Sequence, residues 1–276
     1  MAASVILAFT SAMMEALPIG GEPQGRMIFL RLSPDSSTEL FEHLSPVYFG
    51  AALGLIFHLR SDILRFCVGL THVLRGRIDA EARLFFLVFA LSAPCVLFLS
   101  GKGYVVLYSA LSSLKLLSPV ILELVGLVSA ALLIAADRWF MTVKRTVHLG
   151  FKSGIFLGIV HMLGLFPGIG TVTALIIGTR FIGMERNEGF RLALLVWIPV
   201  LFAFGMLSDT VRFSPLGDGS GMDAFALIDI FSFVGATFFF FLAAFLGQRL
   251  IDWRGLWPFA LFRIALCFLT AVLFSL

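Results

Sequence analysis

Two segments interrupted by proline and glycine hold the residues best suited to chemistry. Glu15 stands just before Leu17-Pro18-Ile19-Gly20-Gly21, inside an apolar stretch that begins at Val5. A carboxylate in such a stretch is costly to keep, so function is the default reading. It can hold a divalent cation or take a proton; the alternative is a structural cap bonded to another segment. The second segment reads Leu165-Phe166-Pro167-Gly168-Ile169-Gly170-Thr171-Val172-Thr173, with His161 shortly before it. His161 can act as a base, or it can be a core histidine with its ring satisfied. A glycine turn that opens a helix presents backbone N–H groups, which bind phosphate without any side chain. Gly20 and Gly21, and Gly168, Gly170, Thr171 and Thr173, are therefore the candidate substrate-binding residues.

The elements that must position these residues lie in a membrane. The chain is 59% hydrophobic and 13% charged, against roughly 25% charged for a soluble domain. Its mean hydropathy is +1.02. The apolar residues come in runs: 84–100 and 230–247 carry no charge. A helix needs roughly 20 such residues to cross a bilayer core. The N-terminus lacks a basic region and carries Glu15, so it reads as structure rather than as a signal peptide. The net charge of +3 gives no sign of a nucleic-acid partner. Cys67, Cys95 and Cys267 are far apart, match no metal spacing and read as packing residues. The 31 phenylalanines supply lipid-facing and packing surface.

Apolar segments near 46–59, 84–100, 118–136, 192–207, 225–248 and 255–275 are the expected spans, the first of them short. Most of the 20 basic residues fall in loops 60–83, 137–152, 180–191 and 249–254. The positive-inside rule puts all four on the cytoplasmic side. Segments 33–45 and 208–224 are acidic and fit the outer side. Loops 137–152 and 180–191 then share a side although an apolar stretch separates them. A segment that enters and returns satisfies both, and Pro167, Gly168 and Gly170 break helix in its middle. A re-entrant helical hairpin is expected over 153–180, and a second around Pro18-Ile19-Gly20-Gly21. Paired breaks of this kind point to a site near the bilayer midplane between inverted repeats. The expected architecture is one all-α polytopic membrane domain, 1–276, with pseudo-repeats of roughly 1–136 and 137–276.

At the two breaks the sequence resembles the undecaprenyl-diphosphate phosphatases of the bacitracin-resistance type. Glu15-Ala16-Leu17-Pro18-Ile19 is similar to the family's first motif, and Leu165-Phe166-Pro167-Gly168 to its second. Gly183-Met184-Glu185-Arg186 and Trp257-Pro258-Phe259-Ala260-Leu261-Phe262-Arg263 resemble later family segments, so the likeness runs along nearly the whole chain. The resemblance implies six spanning helices and two re-entrant hairpins in an inverted repeat, the count that the charge pattern also suggests. It implies removal of one phosphate from undecaprenyl diphosphate, recycling of the cell-wall lipid carrier, and a multi-pass place in the bacterial inner membrane. It also implies Mg²⁺ or Ca²⁺ as a cofactor and admits a homodimer; no other cofactor motif is present.

The motif positions depart from the family. Ser11 stands where the family has a further glutamate, Gly20, Gly21 and Glu22 where it has a serine-rich turn, and Gln24 where it has a histidine. Thr171 replaces the second motif's arginine, and His161 falls on a glutamine position. Arginine is the side chain best suited to a diphosphate in a dry site, and Gln24 cannot act as a base. Glu15, Glu22, His161, Arg26 and Arg31 are the residues that could compensate. With the glutamate pair reduced to Glu15, no metal ligand set can be assigned. Arg263 reads as paired or snorkelling. Two functions follow: hydrolysis of undecaprenyl diphosphate, or binding and translocation of a polyprenyl-phosphate lipid by a member without catalysis.

Overall fold

The computed structural model describes residues 17–19, 44–100, 103–114, 118–139, 151–212 and 222–275. Glu15, Gly20 and Gly21 lie outside the described residues, as do Ser11, Glu22, Gln24, Arg26 and Arg31. Every element among the described residues is a helix: α1 Leu44–His58, α2 Arg60–Leu74, α3 Ala80–Ser100, α4 Gly103–Ser113, α5 Pro119–Trp139, α6 Phe151–Leu163, α7 Thr171–Phe181, α8 Arg186–Arg212, α9 Met222–Arg254 and α10 Trp257–Ser275. Helix is the solution the solvent demands, because lipid offers the backbone no hydrogen-bond partner.

Each of the six expected spans falls on one of α1, α3, α5, α8, α9 and α10. By length and composition, the spans within α3, α5, α8 and α9 can cross a membrane, and α1 with α2 adds a fifth if that bent pair is one span. The pair is bent by 89°. Segment 60–83, expected to be a loop, is therefore mostly α2 and the start of α3. Its helicity follows from an amphipathic pattern: Gly69 packs on the backbone of Glu81 in α3, while Leu64, Val68 and Leu74 face outward. Segment 249–254 is likewise the end of α9. Arg180, assigned above to a loop, is a buried residue of α7.

α8 lies at the centre of the bundle. It packs against α1, α3, α7 and α9 and buries Phe190, Leu194, Val196 and Trp197 among the helices around it. Outward-facing apolar residues such as Phe86, Phe89, Leu124, Phe231 and Phe238 cover the periphery, as expected where lipid is the solvent.

The four basic segments meet at one end of this bundle. Arg191 of α8 donates two hydrogen bonds to Asp62 of α2, at 3.0 and 2.7 Å. Arg186 donates to Asp137 at the end of α5, at 2.5 Å. Asn187 donates to Asp252 of α9. Asp137 also accepts from the Leu256 N–H, at 3.1 Å. Segments around 62, 137, 187 and 252 thus share an end, as their charge suggested.

The stretch between α5 and α8 enters from that end and returns to it. α6 and α7 have 13 and 11 residues, about 20 and 16 Å of helix, each short of a bilayer core of about 30 Å. They pack antiparallel: Gly178 lies against Leu157 and Val160, and Gly164 against Thr171. Arg180, near the end of α7, donates to the Ala136 carbonyl of α5 at 3.3 Å. The break between the two helices therefore lies about halfway across the membrane. Of the first break, residues 17–19 form a buried turn, with Leu17 beside Gly247 of α9.

Candidate functional site

The second break is a run of tight turns. The Leu165 and Phe166 N–H groups donate to the Met162 and Leu163 carbonyls, both at 3.1 Å, and Ile169 N–H donates to Phe166 at 3.2 Å. Gly168 and Gly170 have φ of 98° and 81°, a left-handed region that side chains avoid. Gly168 also presses on α5, where an added Cβ would stand 3.2 Å from the Leu122 carbonyl oxygen.

Gly170 is the N-cap of α7 and supplies no side-chain hydrogen bond. The first helical bond runs from Ala174 N–H to the Gly170 carbonyl, at 2.9 Å. The N–H groups of Thr171, Val172 and Thr173 thus have no acceptor within the helix. Thr171 is 4% exposed, and its hydroxyl oxygen is buried without a partner.

Arg263 of α10 reaches this break from below. It is 1% exposed, so it does not snorkel. Its guanidinium donates to the Ile169 carbonyl at 2.9 Å, to the Thr173 hydroxyl at 3.4 Å and to the Gly168 carbonyl. Binding these carbonyls fixes the turn and sets a positive charge behind the N-terminus of α7, whose dipole has the same sign. The Arg263 Nε remains buried without a partner.

Glu123 of α5 follows Leu122, whose carbonyl oxygen lies against Gly168 of the break. It is 8% exposed. Its Oε1 accepts from the Thr270 hydroxyl of α10, while its Oε2 is buried and unpartnered. The sequence reading passed over Glu123, although a lone carboxylate in the apolar segment 118–136 carries the same signal that singled out Glu15.

His161 is placed elsewhere. Its Nδ1 lies 2.8 Å from the Leu91 carbonyl and 3.3 Å from the Cys95 sulfur, both on α3. A carbonyl partner requires Nδ1 to carry the proton. The Leu91 carbonyl neighbours the turn that Pro94 weakens inside α3. Gly168, Gly170, Thr171 and Thr173 are thus brought together with Arg263, whereas the partners of His161 belong to α3.

Magnesium and calcium need several oxygen ligands. Among the described residues the break offers carbonyls already bonded to a guanidinium, and the adjoining start of α5 carries a single carboxylate with one oxygen on Thr270. These residues do not fit a divalent cation.

Spanning apolar helices around a broken, polar mid-membrane hairpin define a polytopic α-helical membrane protein with a buried anion-compatible site. The family model "Bacitracin resistance protein BacA" matches residues 4–269, and the chain belongs to that family. A protein of Maricaulis maris named undecaprenyl-diphosphatase is 28% identical, over 95% of this chain and 94% of its own length. One of Ruegeria sp. with the same name is 27% identical, over 80% of this chain and 79% of its own.

Proposed function

We propose that the chain hydrolyses undecaprenyl diphosphate to undecaprenyl phosphate in the bacterial inner membrane, with its basic end in the cytoplasm. The observation that carries this reading is the uncapped N-terminus of α7, with the unpartnered Thr171 hydroxyl on it and Arg263 clamped behind it. Three N–H groups without an acceptor in the helix, together with the helix dipole, suit a phosphate oxygen. The half-membrane depth of the break lets the head group reach them while the polyprenyl chain stays in lipid. The names of the relatives in Maricaulis maris and Ruegeria sp. agree with this substrate. Thr171 donates one hydroxyl where the family places an arginine, so the positive field comes from Arg263 and from backbone dipoles.

The test is phosphate release from undecaprenyl diphosphate by the purified protein in detergent, with Thr171→Val as the isosteric control. The wild type is expected to turn over. The variant should lose about 10-fold or more, the scale of one buried hydrogen bond to a charged group, about 1.5–3 kcal/mol. Wild-type protein that binds the lipid without releasing phosphate would overturn hydrolysis. It would favour the second reading, a polyprenyl-phosphate binder or translocator, for which the loss of the motif arginine at Thr171 is the specific observation. Reversible binding does not require the transition-state charge stabilisation that an arginine provides.

A further inference from the structure

We infer that Glu123 is the general base of this site, a role that rests on the hydrolase reading above. Three buried polar atoms on α5 and two helices packed against it lack partners: Thr171 Oγ1 at the start of α7, Arg263 Nε on α10 behind the break, and Glu123 Oε2 on α5, one residue after the Leu122 carbonyl that touches Gly168. Each unpaired buried atom is costly, so three of them on helices packed at the break suit a site that takes a polar guest. Donors alone would make an anion cradle. Glu123 adds an acceptor, which a phosphate would not choose and which a water attacking that phosphate needs.

The carboxylate is also held for the task. Thr270 is fully buried and bonds Oε1, which fixes the carboxylate plane and leaves Oε2 free. The Leu122 carbonyl touches Gly168, so the start of α5 is pinned to the break itself. The charged and titratable groups on the helices packed against α5 are Arg263 and Cys267 of α10 and Arg180 of α7, the last at the basic end beside Ala136. His161, the other candidate base among the described residues, has its ring on α3.

In the step, a water oxygen bonds to the terminal phosphorus while the bond from that phosphorus to the bridging oxygen breaks. The water proton passes to Glu123 Oε2. The bridging oxygen leaves on undecaprenyl phosphate as part of an ionised phosphate, and the other product is orthophosphate. Nothing is oxidised or reduced, and Glu123 returns its proton to solvent.

The bland role for Glu123 is a structural bond to Thr270 that ties α5 to α10, and the two roles separate experimentally. Phosphate release and binding of undecaprenyl diphosphate are measured for wild type, Glu123→Gln and Glu123→Asp across pH. A general base predicts that Glu123→Gln loses about 100-fold or more in kcat, with lipid binding kept or tightened and the acidic limb of the profile abolished. Glu123→Asp keeps that limb at a reduced rate. A Glu123→Gln protein that turns over within a few-fold of wild type, with its acidic limb in place, overturns the inference while hydrolysis stands. Should Glu123→Gln be poorly folded, Thr270→Val supplies the second reading: kcat must fall with KM unchanged, and an unchanged kcat overturns the role. A wild type without phosphate release removes hydrolysis and the base together.

Discussion

Arg263 shows how much one side chain can decide. Its guanidinium spends its donors on the Gly168 and Ile169 carbonyls and the Thr173 hydroxyl, so it acts on the substrate site through the backbone turn. Lysine has a point charge and a flexible stem and cannot span these acceptors as a planar fork does. Arg263→Lys is expected to keep the fold and lower turnover, read as phosphate release per folded molecule. Arg263→Met would leave the Gly168 and Ile169 carbonyls unpaired. A buried polar group left unsatisfied costs about 1–3 kcal/mol, so thermal unfolding in detergent should drop clearly, and further than for Arg263→Lys. His161→Ala should also lower the unfolding temperature, because the ring bonds Leu91 inside the α3–α6 contact. The glycines, Thr171 and Thr173 of this site were legible in the sequence because a Pro-Gly break in an apolar run has few other uses. Glu123 and the target of Arg263 were not, since their significance lies in which distant helix each one faces.

Among the elements, the hairpin of α6 and α7 depends on small residues. Gly164 and Gly178 let the two helices approach until an added Cβ would stand 2.6 Å from Thr171 Cα and 3.0 Å from a Val160 methyl. Close approach through small residues is how helices associate where no hydrophobic effect drives them. The turn between α2 and α3 is held differently. Asp79 accepts from Ala82 N–H at 2.9 Å, as an N-cap, and pairs with His72. The Ala82 N–H, and then His72, hold the Asp79 carboxyl below its ordinary value. A lowered folded value gives stability that is complete above the unfolded value of about 3.9 and lost as pH falls through the folded one. Hydrogen exchange in residues 80–83 should therefore rise on acidification below about pH 4, and Asp79→Ala should show the raised exchange already at neutral pH. The helicity of α2 was hidden in the sequence by its arginines. α2 carries charged and apolar residues together, and such a helix does not stand out as a charge-free run.

At the scale of the molecule, sidedness organises everything. Asp62–Arg191, Asp137–Arg186 and the Asn187–Asp252 contact gather four basic segments at one end. In a background without native cysteines, Arg77→Cys, Glu185→Cys and Arg254→Cys should react with a membrane-impermeant maleimide from the same side of oriented vesicles. Reaction of Glu185→Cys from the opposite side to Arg77→Cys would replace the hairpin with a full crossing. A cleft of about 180 Å³ opens at this end, lined by Asp62, Arg65, Glu81, Arg83, Glu188 and Arg191 among others. Its charges balance in sign, which suits an ion-pair seam between α2, α3 and α8.

The sequence alone determined the solvent, the helical class, the approximate spans, the common end of the basic segments and the break between α6 and α7. These depend on composition and local pattern: apolar runs must be helical in lipid, and proline and glycine interrupt helix wherever they fall. Only the tertiary structure decided that Arg263 lies under the second break, that Glu123 bonds Thr270 with one oxygen and leaves the other free, and that His161 bonds α3. Those pairings join residues of α5, α6 and α7 to partners far away in the chain, and a buried polar group takes its meaning from the partner it finds or lacks.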